Sequence, residues 1–108
     1  MTRRLPQYLK HERRRAGLAQ ADVAYLFGAR ARTKVSRYEH GRHLPTLATA
    51  LAYEAMLGTP VADLFPGAFA AARRDVLKRA KRRAGMLAKL PQSARNAQRK
   101  RSLERLFA

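Results

Sequence analysis

The sequence predicts an all-α fold: five short helices, followed by one or two basic amphipathic ones. Three observations carry this. Of 108 residues none is Ile and four are Val, whereas Ala, Leu and Arg, all strong helix formers, are abundant. No stretch alternates apolar and polar residues for long enough to make a sheet. Gly and Pro cut the chain into segments of helical length.

The first segment, about Pro6 to Ala16, opens on Pro and closes at Gly17, the usual asymmetry of helix ends. Its expected inner face is Leu5, Leu9 and Ala16, with the stem of Arg13. The second runs from Gln20 to Phe27 and is closed by Gly28, with Val23, Ala24 and Phe27 inward at helical spacing. The third, Arg32 to His40, turns Val35 and Tyr38 inward and ends at Gly41. Thr46 is a good N-cap for a fourth, Leu47 to Leu57, whose expected core residues are Leu47, Leu51 and either Met56 or Leu57. Thr59 is placed to cap a fifth, Val61 to Phe65, before Pro66-Gly67. Residues 1–66 therefore read as one domain and 67–108 as an extension. In the extension, 68–90 form one helix with a stripe of Phe69, Ala72, Val76, Ala80, Ala84 and Leu87. Pro91 ends it, and Ser93 caps a last helix to about Phe107.

The formal net charge is +17, from 24 Lys and Arg against seven acids. Residues 1–66 hold 11 basic and 5 acidic residues, and residues 67–108 hold 13 and 2. Such self-repulsion is relieved by a polyanion, of which nucleic acid is the commonest. The absence of Cys excludes disulfides, zinc ribbons and thiol chemistry. No run of apolar residues is long enough to span a membrane, and the N-terminus has no signal-like apolar region, so a cytoplasmic, nucleoid-associated protein without membrane partners is expected. An enzyme is not expected: there is no paired-carboxylate site, Gly-rich phosphate loop or nucleophile–His–Asp set. His40 and His43 have helical metal spacing, but Gly41 separates them and no third ligand is near, so neither metal nor cofactor is expected.

Two short helices joined by a turn containing Gly28 have helix-turn-helix dimensions. Further matches surround them: Leu9 and Arg13; Gly17-Leu18-Ala19-Gln20, then Val23-Ala24; Phe27-Gly28; Val35-Ser36-Arg37-Tyr38-Glu39-His40-Gly41; Pro45; and Leu57-Gly58 with Val61, Leu64 and Phe65. On these residues, 9–65 resemble the Cro and phage-repressor (XRE) family of helix-turn-helix domains, with all five helices in the family's order.

The resemblance implies a lambda-repressor-like fold and sequence-specific binding of double-stranded DNA, with helix 32–40 in the major groove. It puts Arg32, Thr33 and Arg37 at base-reading positions and Gln20 at a phosphate-contacting one. The residues agree. Arg32, Thr33, Lys34, Ser36 and Arg37 lie away from Val35 and Tyr38, and Arg can donate two hydrogen bonds to guanine while Thr offers a hydroxyl and a methyl. The base-reading set is thus Arg32, Thr33, Ser36 and Arg37. Gln20, Arg30, Lys34, His40, Arg42 and His43 form the phosphate set. By the resemblance Arg13 and Glu39 form a partly buried salt bridge that fixes the third helix to the first. The chain departs from the family pattern in three places. Ala19 replaces the usual Ser or Thr cap, one extra residue follows Gly28, so either Arg30 or Arg32 meets the first base, and Tyr53-Glu54 replaces an aliphatic–Ala pair.

The resemblance is silent on 67–108. Its stripe, with Phe69, Val76, Leu77 and Leu87 as large members, can zip to a second copy, fold back on its own chain, or leave its basic residues to track phosphates. The function expected is a dimeric transcriptional regulator, a repressor on a palindromic operator. Two alternatives stand beside it: an antitoxin that also autoregulates its operon and holds a toxin partner, and a sequence-tolerant nucleic-acid-binding protein.

Overall fold

The computed structural model describes residues 6–28 and 32–108. Leu5, expected on the first helix, and Arg30, a candidate DNA contact, lie outside the described residues. The described residues form seven helices and no strand: α1 (Leu9–Arg15), α2 (Gln20–Leu26), α3 (Thr33–Glu39), α4 (Leu47–Leu57), α5 (Val61–Leu64), α6 (Pro66–Leu87) and α7 (Ala94–Phe107). They fall into two compact units, Met1–Phe69 and Ala70–Ala108.

The helix ends follow from local chemistry. The Leu9 N–H donates to Gln7 Oε1 (2.8 Å), so α1 starts after Gln7 rather than at Pro6. The Tyr8 N–H donates to the Leu64 carbonyl (2.9 Å) and ties that start to α5. At α4, Thr46 Oγ1 accepts from the Thr49 N–H (3.3 Å), and Gly58 closes the helix at φ +71°, where a side chain would be strained. Thr59 does not cap α5. The Val61 N–H donates instead to Glu54 Oε1 (2.7 Å), while the Thr59 hydroxyl donates to Glu12 Oε2 (3.3 Å), because the α4 carboxylate is the stronger acceptor within reach.

The core of the first unit gathers Leu9 from α1, Val23 and Ala24 from α2, Val35 and Tyr38 from α3, Ala50 and Tyr53 from α4, and Leu64 with Phe65. Each fully buried aliphatic side chain contributes about 1.5–3 kcal/mol. Tyr53 sits at the centre, wholly buried, with its ring edge-on to Phe27 (4.8 Å between centroids) and to Tyr38 (6.4 Å).

Two inner faces differ from expectation. Ala16 is exposed, because it is the residue at which α1 ends. On α4, Ala50 and Tyr53 face inward with Met56 and Leu57 partly covered, whereas Leu47 is 72 % and Leu51 50 % exposed. Apolar residues surround α4 on all sides, so its partners choose the face. Tyr53 meets two rings edge-on from this face, a geometry that adds to what its buried area alone contributes.

In the second unit Ser93 Oγ accepts from the Asn96 N–H (3.1 Å), and Asn96 Nδ2 donates to the Pro91 carbonyl (3.0 Å), which sets the start of α7. Ala80, Ala84 and Leu87, spaced along one face of α6, are buried. Lys81 Nζ lies 5.9 Å from the Phe107 ring centre, within cation–π range, so α7 returns along α6. The expected stripe is therefore not one continuous free face. Leu87 is buried, Leu77 is partly covered, and Phe69 and Val76 stay exposed. Small alanines at 80 and 84 let the chain itself approach that side of α6. Among the described residues no helix is long and apolar enough to cross a membrane.

Candidate nucleic-acid interface

Val23 and Ala24 of α2 and Val35 and Tyr38 of α3 are all buried in the shared core, so the two helices are fixed to each other by their inner faces. Gly28, at φ +75°, takes the chain out of α2 in a conformation that L side chains rarely adopt. What α3 leaves outside is cationic. Arg32, Thr33, Lys34 and Arg37 are exposed, Ser36 is partly covered, and Arg42 and His43 follow on the surface.

One residue anchors α3. Glu39 is buried, and its carboxylate accepts from Arg13 Nε (2.6 Å), Arg13 Nη2 (3.0 Å) and Gln20 Nε2 (3.1 Å). Its backbone carbonyl accepts from Gln7 Nε2 (2.6 Å). Arg13 Nη1 donates to the Leu18 carbonyl (2.9 Å), so the guanidinium also holds the link between α1 and α2. Hydrogen bonding to Glu39 raises the Arg13 pKa against the opposing cost of burial. Bidentate charge-assisted bonds of this kind fix orientation as well as adding energy. The α1 and α2 side chains thus meet at the last turn of α3.

Gln20 spends one amide hydrogen on Glu39, leaving the second for an outside acceptor. The N-cap Ala19 has no side-chain acceptor; its own N–H donates to Asp22 Oδ2 (2.8 Å). At the other end His40 Nδ1 donates to the Ser36 carbonyl (2.7 Å), with Ser36 Oγ 3.3 Å away. Only Nε2 of His40 therefore faces outward, and it can donate to a phosphate only as the imidazolium. Among the described residues no group of three or more His, Asp or Glu gathers as a metal site.

Two features of this region escape sequence reasoning. Gln7 holds both the start of α1 and the Glu39 carbonyl, and its only sequence mark is its place between a proline and a helix. Tyr53 Oη is buried with no hydrogen-bond partner among the described residues. Burial, and secondarily the Glu39 charge, push its pKa up.

Two short helices packed through a common core, with an uncovered basic face on the second, define a helix-turn-helix DNA-binding domain. The helix-turn-helix domain family matches residues 4–64, more than half of the chain, and the protein belongs to it. That membership fits the Cro and phage-repressor resemblance and points to a DNA-binding regulator. No curated protein matches the chain, and no solved structure does.

Proposed function

We propose that the protein is a sequence-specific transcriptional regulator, a binding protein rather than an enzyme, that inserts α3 into the major groove of duplex DNA. The observation that carries this reading is the exposed basic face of α3, held rigid from behind by the Glu39 cluster. Arg32, Thr33, Ser36 and Arg37 read bases. Gln20, Lys34, His40, Arg42 and His43 meet phosphates at the edges of the groove.

The active species is a dimer on a palindromic operator, its two α3 helices about 34 Å apart, and it represses by occlusion. Exposed Leu44, Leu47, Leu51 and Phe69 on the first unit supply apolar surface for pairing of copies. The second unit supports DNA binding through its outward cations. Arg74 and Lys78 lie on the side of α6 opposite Ala80 and Leu87, and no ion pair engages them among the described residues. Such cations raise affinity without reading sequence.

Selection of bound duplexes from a random pool at physiological salt, followed by sizing of the complex, tests the whole reading. A palindromic winner bound by two copies is the expected result. Enrichment of no sequence over the pool would reduce the protein to a sequence-tolerant binder.

A further inference from the structure

The second unit carries an apolar groove outside the DNA-contacting residues proposed above. It has a volume of about 500 Å³ and runs between α6 and α7. Its floor is made by Val76 and Met86 from one helix and Leu103 and Leu106 from the other. Val76 is 51 %, Met86 50 % and Leu106 47 % exposed, a clustering that a small unit ordinarily covers. Arg79, Arg82 and Arg83 stand along the α6 side. Arg83 Nη1 reaches to 3.8 Å from Met86 Sδ, which places a guanidinium directly at the apolar edge. No acidic residue lines the groove; Asp75, the nearest along α6, shares a separate polar recess with Lys78, Arg79 and Arg82.

We propose that this groove docks an amphipathic helix of a protein partner, with an apolar stripe for the floor and Asp or Glu flanking it for the arginines. The chemistry excludes the other occupants. Duplex DNA offers phosphates to the arginines but no apolar ridge to fill a floor of Val, Met and Leu. A second copy brings the same arginine rim, and residues 67–108 carry 13 basic against 2 acidic residues, so pairing through this face sets like charges together. An acidic amphipathic helix satisfies both parts of the site: its stripe anchors at i, i+3, i+4 and i+7, and its carboxylates meet planar guanidiniums that favour two-point contacts. The inference does not depend on how α3 contacts DNA.

The test uses the full chain and three labelled synthetic helices of about five turns. One has a leucine stripe flanked by Glu, one the same stripe flanked by Lys, and one scrambles the Glu version. Fluorescence anisotropy is measured with the native protein and with Leu106→Glu and Met86→Glu, both at half-exposed sites whose folding is verified by circular dichroism. The Glu-flanked helix is expected to bind at least tenfold more tightly than either control, and each substitution is expected to weaken it at least tenfold while leaving operator affinity unchanged. Equal binding of the three helices, no binding, or indifference to both substitutions would overturn the proposal. So would a concentration-dependent dimer abolished by Leu106→Glu, which makes the groove a self-interface, or loss of duplex affinity in that variant, which makes it a DNA surface. Failure of operator selection with peptide binding intact would sink the regulator reading alone.

Discussion

Replacing Arg13 with Met leaves the Glu39 carboxylate, whose side chain is 1 % exposed, without its bidentate partner. Removing one member of a buried ion pair costs about 3–5 kcal/mol, because the other charge stays desolvated. Arg13 keeps 9 % exposure at its own side chain, and Gln20 still donates to Glu39 from 3.1 Å, so the lower end applies, about 3 kcal/mol. For a domain of this size each kcal/mol lowers Tm by about 4–8 °C, giving a fall of about 12–24 °C. Urea and thermal unfolding followed by circular dichroism read this directly. The double variant Arg13→Met with Glu39→Leu removes both charges and should recover to within about 1 kcal/mol of the native protein, since apolar replacements of buried pairs are often neutral. Either of two results would refute the reasoning. One is a single-variant cost below about 1 kcal/mol, the behaviour of exposed pairs. The other is a double variant whose loss equals the sum of both singles, which means that the two residues are uncoupled.

Tyr53→Phe removes the unpartnered hydroxyl and should stabilise the fold by about 1 kcal/mol at neutral pH. The folded-state pKa of Tyr53 lies above its ordinary 10.0, so the native protein keeps a proton that the unfolded chain releases. Its contribution is intact below that pH and is lost as pH rises above it, so the Phe variant should resist alkaline unfolding better; an unchanged alkaline limb or a loss at neutral pH contradicts this. Arg32→Ala and Arg37→Ala should each cost about 1–3 kcal/mol of operator affinity and relax preference at one base pair; equal loss on all sequences would assign phosphate contact instead. Changing Arg74 and Lys78 together to Gln should flatten the slope of log affinity against log salt by about 0.9 per lost phosphate contact, and an unchanged slope would remove α6 from the DNA interface.

The order of the helices was legible because several of their ends are written in single residues: Gly28 and Gly58 at positive φ, Thr46 and Ser93 as caps. The start of α6 was not, since Pro66 opens that helix at its first position instead of separating it from α5. The face of α3 was plain, since Val35 and Tyr38 are its only large apolar residues and share one side, whereas α2 also carries Tyr25 and Leu26, which stay exposed. That of α4 was not plain, because Leu47, Leu51, Ala50 and Tyr53 surround it and only its neighbours decide which go inside. The cap of α5 was misread for a related reason: Glu54 reaches it from seven residues away, a link that no local pattern contains. The pairing of Arg13 with Glu39 across 26 positions was available only through family resemblance, and the convergence of Gln7 and Gln20 on the same glutamate appears only in three dimensions. In the extension, small residues at 80 and 84 read as a weak stripe, yet both are buried in the folded chain.

Four hydrogen bonds from three side chains converge on Glu39. Tilting or sliding the last turn of α3 would break several of them together, with buried charge left behind, so small adjustments of that helix are costly. Under the proposed mode of binding the protein has little conformational give where it meets its target. Accommodation then falls on the duplex, whose bending and twisting energies vary from step to step. Pyrimidine–purine steps at positions that no side chain touches would accordingly favour binding, a preference written in the mechanics of the double helix rather than in its base edges.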